Sequence, residues 1–201
     1  MRTERGLSRL VGFSDGVVAI AITLLVLPLV TAATEVDVDA GTFLVDNAYQ
    51  LLVLVLSFAV IGRFWIAHHQ MYENVIAYKP SMLWATLLWL LTIVFLPFPT
   101  QLLATADRDS RITYGLYIGT MVLTALAALL QQWIIVRNPE LHNPEVRGTL
   151  DVGSYATIAG ALIVCLLLAV LVPGVGLLSL LLLFVSGPIE SLIRRKQRKK
   201  S

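Results

Sequence analysis

Uncharged apolar runs, each long enough to cross a lipid bilayer, occupy most of this chain of 201 residues. The first run extends from Gly16 to Ala33 without an ionisable side chain. Because a helix rises about 1.5 Å per residue, roughly 20 apolar residues span the hydrocarbon core of a membrane. Hydrophobic residues make up 57% of the chain and charged residues 14%, with a mean hydropathy of +0.80. This composition predicts an all-α integral membrane protein, for which no nucleic-acid partner is expected.

Six helices account for the uncharged runs. The first four are predicted at residues 11–30, 43–67, 81–105 and 112–136. The last run, residues 152–189, is too long for one crossing. The sequence Pro-Gly-Val-Gly at 173–176 interrupts it, where a turn between a fifth and a sixth helix is expected. Little chain remains outside the membrane, so residues 1–201 are predicted to form one six-helix domain with a short basic tail at 194–201.

The charges between the runs predict how the helices are oriented. Arginine and lysine collect at one end of the predicted spans, at Arg2, Arg5, Arg9, Lys79, Arg137, Arg147 and residues 194–200. Most acidic loop residues fall at the other end, at Glu35, Asp37, Asp39, Asp46, Asp107 and Asp109. Since short basic loops stay on the cytoplasmic side, both termini are predicted to be cytoplasmic.

Ionisable and polar residues open the first span. Arg9, Ser14 and Asp15 stand at the start of a segment that is otherwise apolar. Charge inside a membrane is costly, so such residues are buried in protein or reach water, and by default they mark a functional site. We therefore expect partners for Asp15 elsewhere in the chain.

The end of the second span offers those partners. This helix runs in the opposite direction to the first, so Trp65, His68 and His69 arrive at the depth of Asp15. Tryptophan offers an indole N–H, and histidine can donate to a carboxylate in either charge state. The sequence predicts a polar network at this depth, although the two histidines could instead be interfacial residues that end the helix.

One face of the first span carries a regular stripe of side chains. Residues at alternating spacings of three and four share one face of a helix. This spacing holds for Phe13, Gly16, Ile20, Thr23 and Leu27, and Leu24 lies beside them. Contact with lipid would account for the stripe, because a helix can bond a threonine hydroxyl to its own carbonyl. The polar start of the helix favours a second interpretation, in which the stripe lines the axis of an assembly.

The two histidines also allow other functions. His69 and Glu73 are one helical turn apart, but two ligands without a third do not make a metal site, and none is predicted. A proton-coupled secondary transporter could titrate Asp15 and His68 during its cycle. Neither an inverted repeat nor a discontinuous helix at mid-membrane is apparent in the sequence to favour it. A membrane enzyme would need a nucleophile with its base, or a complete metal set, around the histidines, and the sequence offers neither.

Two prolines, Pro97 and Pro99, lie near the outer end of the third span. A proline inside a helix removes a hydrogen bond and crowds the preceding turn, so a kink is expected there rather than a functional break. The single cysteine, Cys165, lies inside an apolar run and is expected to be inert.

Three motifs together resemble the bacterial members of the transmembrane protein 175 family. They are Arg9 followed by Phe13-Ser14-Asp15, the Trp65-x-x-His68-His69 end of the second span, and Phe-Leu-Pro-Phe-Pro-Thr at residues 95–100. With the six spans, the resemblance covers nearly the whole chain, and animal relatives of the family are potassium channels of endosomes and lysosomes. It implies a potassium-permeable cation channel rather than an enzyme, in the plasma membrane of a prokaryote.

The resemblance also implies an assembly and a set of pore residues. Four copies would form a homotetramer whose first helices line a central pore, with membrane lipid and monovalent cations as partners. Carried over by position, Ile20 would form the narrowest hydrophobic constriction and Thr23 would contact the ion. Further apolar rings would lie at Leu24 and Leu27. No cofactor is implied, apart from the permeant K⁺ expected in the pore.

The polar start of the first span has a structural role in this comparison. The resemblance implies a buried network that contains Arg9, Phe13, Ser14 and Asp15 with Trp65 and with His68 or His69. No Thr-Val-Gly-Tyr-Gly loop occurs in the chain, which agrees with a pore that lacks a filter of carbonyl groups. A narrow ring of isoleucines strips water from a cation and offers nothing in exchange, so it would act as a dewetting gate. A ring of hydroxyls replaces hydration only in part, which predicts a modest preference for potassium over sodium.

Overall fold

The computed structural model of the chain describes residues 4–35, 38–105, 110–144 and 150–172. The α-helices in these ranges are α1 Glu4–Leu24, α2 Leu27–Glu35, α3 Ala40–Asp46, α4 Ala48–Glu73, α5 Pro80–Phe95, α6 Pro97–Thr105, α7 Arg111–Val136 and α8 Gly153–Leu171. A 3₁₀ turn, Pro139–Leu141, follows α7, and an isolated antiparallel bridge pairs Val75 with His142. The all-α prediction is confirmed. The predicted turn at 173–176, the sixth span and the tail lie outside the described residues.

Five stretches of helix within the described ranges are long and apolar enough to cross a membrane. They are Arg5–Glu35, Ala48–Glu73, Pro80–Thr105, Arg111–Val136 and Gly153–Leu171. The third and fourth match the predicted 81–105 and 112–136 to within one residue. Both begin at strong local signals, because Pro80 suits the first helical position and the Ser110 hydroxyl caps α7 by accepting from the Thr113 amide.

The second span differs from the predicted 43–67 at both ends. It begins at Ala48, because residues 40–46 form the separate helix α3. Asp39 caps α3, and hydrogen bonds from the Thr42 hydroxyl and from the Gly41 and Thr42 amides lower the pKa of its carboxyl. At its other end α4 continues to Glu73, since Met71 and Tyr72 bury their side chains in the core. The histidine pair therefore lies inside this helix rather than at its end.

The first span is interrupted where the sequence predicts one continuous helix. Pro28 has no N–H to donate to the Leu24 carbonyl, so the regular ladder is lost in the turn before it. The Leu25 amide instead donates to the Ile22 carbonyl at 3.2 Å, and the Val26 amide to the Thr23 carbonyl at 3.4 Å. Two residues therefore separate α1 from α2, and this tightened turn lies next to the predicted pore stripe.

The third span is kinked, as predicted. Leu96 separates α5 from α6, and its amide donates to the Ile93 carbonyl at 3.2 Å. Pro97 begins the second segment, and Pro99 follows within its first turn. In the segment after this break, Thr100 lies in the protein core and is 5% exposed.

Helix α7 forms the centre of the subunit. In its most apolar stretch of 18 residues 67% is buried, against 22% in each of the first, second and fifth spans. It packs against α5, α6, α4 and α8. Its fully buried side chains include Tyr117, Ile118, Gln131 and Ile135, and Trp89 of α5 and Leu162 of α8 pack around it.

Two sets of hydroxyl and amide groups link the helices inside this core. In the first, the Thr100 hydroxyl bonds to Ser57 at 3.1 Å, and Ser57 bonds to the Tyr117 hydroxyl at 3.1 Å. In the second, the Gln131 carbonyl oxygen accepts from Tyr72 at 3.2 Å and from Thr86 at 3.3 Å. Bonds between side chains of this kind hold membrane helices together where no hydrophobic force acts between them.

The segments outside the membrane at one end of the bundle form a structure that we call the clasp, residues 74–79 and 137–143. The Ile76 amide donates to the Leu141 carbonyl at 2.9 Å, and the Asn143 amide to the Asn74 carbonyl at 3.0 Å. The clasp therefore joins the connection between α4 and α5 to the chain that follows α7.

Candidate functional site

The first helix presents two distinct faces. Its buried face packs on the rest of the subunit through Leu7, Leu10, Ser14, Val18 and Ala21. The opposite face is exposed at every position of the predicted stripe, namely Phe13, Gly16, Ile20, Thr23, Leu24 and Leu27. The exposed fraction reaches 62% at Ile20, although this residue lies in the middle of an apolar span. The stripe is therefore free to contact lipid, water or another chain.

Within the stripe, the Thr23 hydroxyl oxygen can accept a hydrogen bond or contact a cation. Its hydroxyl donates to the Ile20 carbonyl at 2.8 Å. Since the single O–H is used in this bond, the lone pairs of the oxygen remain available on the exposed face. Apolar side chains at Ile20, Leu24 and Leu27 surround it. The stripe thus combines wide apolar surface with one oxygen that a cation could contact.

At the start of the first span, Asp15 meets Trp65. The indole Nε1 donates to Asp15 Oδ1 at 2.8 Å, and both side chains are half-buried. This bond joins α1 to α4 at the depth where the sequence predicted a partner. A hydrogen bond to a charged acceptor is about twice as strong as one between neutral groups, so it is a firm attachment for the helix.

The two histidines of α4 take different positions. His69 stacks on Trp65 with 5.4 Å between ring centroids, and its Nε2 lies 3.6 Å from Glu73 Oε1 on the exposed surface. His68 turns into the core, where its ring stacks on Trp89 at 4.0 Å with an angle of 9° between the planes. Successive residues on a helix point about 100° apart. His69 therefore lies against Trp65 on the exposed side of α4, and His68 lies on the buried side of the same helix.

The other predicted members of the polar network lie apart from that bond. The Ser14 hydroxyl is buried and donates to the Leu10 carbonyl at 2.9 Å. Phe13 is 55% exposed, and Arg9 is also exposed and forms no ion pair among the described residues. Both side chains face away from the subunit, on the side of α1 that carries the stripe or next to it.

The described residues contain no group of three histidine, cysteine or acidic side chains that could hold a metal ion. Cys165 is buried in α8 and is not in a disulfide.

Some residues that shape the site were not singled out in the sequence. Hydrogen bonds among Tyr72, Thr86 and Gln131 attach α4, which carries both histidines, to α5 and α7. Polar side chains inside long apolar runs are a signal of helix contacts in membranes, and that signal was present at Gln131. The close approach of Tyr78, in the connection between α4 and α5, to Gly6 of α1 has no such signal in the sequence, because it depends on how the connection folds.

Comparisons with known proteins bear on this geometry. A family model described as "Endosomal/lysosomal potassium channel TMEM175" matches residues 9–97, which include the stripe, Asp15 and the end of α4. A potassium channel of Streptomyces collinus is 35% identical over 143 residues, 69% of this chain and 68% of that protein. A potassium channel of a Chryseobacterium species is 32% identical over 134 residues, 64% of this chain and 65% of that protein.

A solved structure is also similar. It is the crystal structure of a lysosomal potassium-selective channel TMEM175 homologue from Chamaesiphon minutus, with a TM-score of 0.71 and 26% identity. The match covers 94% of this chain and 97% of that chain, so it extends over the whole bundle rather than one helix pair.

Proposed function

This chain belongs to the TMEM175 family, and from that premise we propose that it is a potassium-permeable cation channel whose pore is lined by the first helix of several copies. The observation that carries this proposal is the orientation of α1. Its stripe of Ile20, Thr23, Leu24 and Leu27 faces away from the subunit, while the bond between Asp15 and Trp65 holds its start. A helix that is attached on one side and open on the other is suited to surround an axis.

We propose a homotetramer, as the family resemblance implies. In a closed symmetric ring the same face of each subunit meets the axis, so one stripe per chain is enough to line the pore. The polar network then serves structure rather than ion contact. Arg9 and Phe13, which are exposed in the single subunit, are placed to complete that network against a neighbouring copy.

In this pore the constriction is hydrophobic. Four Ile20 side chains exclude water when they approach closely, and they offer a dehydrated cation no oxygen in return. Conduction therefore requires the ring to widen. The tightened turn at Leu25 and Val26 lies one turn beyond, so the helix has a local site at which it can bend.

Selectivity in such a pore depends on the Thr23 oxygens. A ring of hydroxyls compensates only in part for lost hydration and discriminates less than a cage of carbonyls. We propose a modest preference for K⁺ over Na⁺. Acidic residues near the other end of the first span and in α3, such as Glu35 and Asp46, concentrate cations there through a field that salt screens.

For the location, we propose the plasma membrane of a prokaryote with both termini in the cytoplasm. The support is the distribution of basic residues, which places Arg5, Lys79 and Arg137 on one side. The clasp then lies in the cytoplasm, and lipid covers the outer faces of the helices.

A proton-coupled transporter using Asp15 and His68 is the alternative. The interruption of the first span is a feature that favours it, since transporters bind substrates at discontinuous helices. Here, however, the interruption spans only two residues, and both of their amides are hydrogen bonded. Asp15 bonds to Trp65, whereas His68 stacks on Trp89, and no salt bridge joins these two titratable groups among the described residues.

Single-channel recording from purified protein in a planar bilayer tests the proposal. We expect ohmic cation current whose reversal potential lies between the equilibrium potentials of sodium and potassium and is displaced toward that of potassium. Slow, saturable flux that stops when the proton gradient is removed would instead establish the transporter.

The residue-level prediction concerns the constriction. The Ile20→Asn variant should wet the ring and raise the conductance several-fold. The matched control is Ile163→Asn on α8, which places the same change at a position that is 39% exposed on another helix. Equal conductance of Ile20→Asn and wild type, at equal assembly, would remove Ile20 from the gate.

A further inference from the structure

The base of the first helix rests on the clasp through one close approach. A Cβ atom added to Gly6 would lie 2.9 Å from Tyr78 Oη and 3.0 Å from Tyr78 Cε1. Carbon atoms do not approach a phenol ring that closely without displacing it. With a side chain at residue 6, either the Tyr78 ring or the base of α1 would have to shift.

Tyr78 is buried and lies in a segment that is fixed by hydrogen bonds. It is 8% exposed, and its neighbour Ala77 is 7% exposed. The next residue, Lys79, donates to Asn138 Oδ1 and to Glu140 Oε1, each at 2.5 Å. Two backbone hydrogen bonds tie the same connection to the chain that follows α7. The ring is therefore buried and belongs to the clasp, whose backbone is tied to the chain that follows α7.

From these contacts we propose that Gly6 and Tyr78 are positioning residues for the pore. The clasp sets where the base of α1 lies and, through this helix, the radius at which Ile20 stands. The inference rests on the proposed channel function, and it assigns to the connection between the second and third spans a role in setting the constriction.

The geometry of α1 gives the size of the effect. The helix is continuous from Glu4 to Leu24, with the bond from Asp15 to Trp65 between its base and the constriction. At about 1.5 Å per residue, Gly6 lies about 14 Å below Asp15, and Ile20 about 8 Å above it. A displacement of about 1 Å at the base, pivoting at Asp15, therefore moves Ile20 by about 0.5 Å in the opposite direction. Dewetting depends steeply on radius, so shifts of this size in every subunit change conduction.

The test is Gly6→Ala, measured by single-channel recording and by thermal unfolding of the assembled protein. We expect conductance or open probability to change by a factor of about two or more, because the added Cβ pushes the base of the helix away from Tyr78. The control is Gly160→Ala on α8, where an added Cβ meets nothing within 4 Å. Both changes add one methyl group to a helix, so the gain in helix propensity is similar.

A double-mutant cycle separates the contact from other effects of the substitution. In a Tyr78→Ala background the ring is gone, so Gly6→Ala should have no further effect on the current. Tyr78→Phe serves where Tyr78→Ala does not assemble, because it removes the nearer Oη atom and should relieve part of the effect of Gly6→Ala.

The outcomes are distinct. Wild-type protein without potassium current would overturn the proposed function itself. A conducting wild type with an unchanged Gly6→Ala current would overturn only the positioning role. If the effects of Gly6→Ala and Tyr78→Ala on the melting temperature depend on each other but their effects on the current do not, the contact only packs the helix, and the inference is rejected. Coupling in current, with Gly160→Ala unchanged, would establish it.

Discussion

The first and fourth spans are both long apolar helices, yet their environments differ greatly. The first span is the more hydrophobic of the two, but 22% of its most apolar stretch is buried, against 67% in the fourth. In a water-soluble protein the order would be reversed, because apolar residues move to the core. Here the buried helix is the one that carries polar and small side chains, as at Thr124, Ala128 and Gln131.

The reason is the solvent. Lipid tails are as apolar as leucine, so an apolar helix gains nothing by leaving them for the protein interior. Close packing and hydrogen bonds between helices decide instead which helix is central. Small residues allow backbones to approach, and polar residues need partners that lipid cannot give. In the first span the hydroxyls of Thr23 and Thr31 bond to carbonyls of the span itself, and Asp15, near its start, is the polar residue that bonds to another helix.

The largest expected effect comes from replacing a buried isoleucine by alanine, and the same substitution at two exposed isoleucines gives the comparison. Ile135→Ala in the core of α7 leaves a cavity and should cost about 2 kcal/mol of unfolding free energy, even without a transfer term. Ile20→Ala should cost less than about 0.5 kcal/mol, because this side chain is 62% exposed and its loss opens no cavity in the subunit.

Ile112→Ala is the control for helix α7, since Ile112 is 85% exposed on the same helix. Chemical unfolding in mixed micelles measures all three variants. If Ile20→Ala proved as costly as Ile135→Ala, the stripe would be tightly packed against protein, and the contrast between the two spans would fail.

Hydropathy and local signals predicted most of the fold. The third and fourth spans were predicted to within one residue from their uncharged runs, and in the structure both helices begin at local signals, Pro80 and Ser110. The kink at Leu96 followed from Pro97 in the same way. The interruption before Pro28 has the same cause, and Pro28 in the sequence is its signal, although a continuous helix at 11–30 was predicted.

Features that depend on the relative rotation of helices could not be predicted. His68 and His69 are equivalent in sequence, and only the packing of α4 on α5 turns one toward Trp89 and leaves the other beside Trp65. The extension of α4 to Glu73 depends on the burial of Met71 and Tyr72 in the same interface. The partner of Asp15 was anticipated because Trp65 was one of three candidates at the right depth.

The second expected effect concerns the polar attachment of the first span. Trp65→Phe keeps an aromatic ring but removes the N–H that Asp15 accepts. Because both side chains are only half-buried, the loss of this donor should reduce the unfolding free energy by about 1 kcal/mol. The control is Trp84→Phe, which makes the same chemical change at a side chain that is 70% exposed, where little loss of stability is expected. Equal stability of the two variants would mean that the packing of the buried face of the first span, and not its bond to Trp65, holds it in place.

The smallest expected effect lies outside the membrane, where water competes for the same kind of bond. The hydrogen bond from Lys79 holds the pKa of Glu140 below its ordinary value of 4.5. A carboxyl with a lowered folded pKa stabilises the protein above its unfolded pKa, and this contribution is lost as the pH falls through the folded value. Glu140→Gln should therefore lower the melting temperature slightly at neutral pH, and the difference from wild type should vanish in acid.

The measurement is thermal unfolding of both proteins from about pH 7 to about pH 3, because only this range includes the titration. Glu35→Gln is the control, since Glu35 is an exposed carboxylate at the end of α2 without an ion pair among the described residues. Its melting temperature should follow wild type at every pH. Should Glu140→Gln match Trp65→Phe in its cost at neutral pH, the exposed clasp would hold the subunit as firmly as the bond inside the membrane. In that case the strength of a polar contact would not depend on whether water surrounds it, as at the clasp, or lipid, as at the start of the first span.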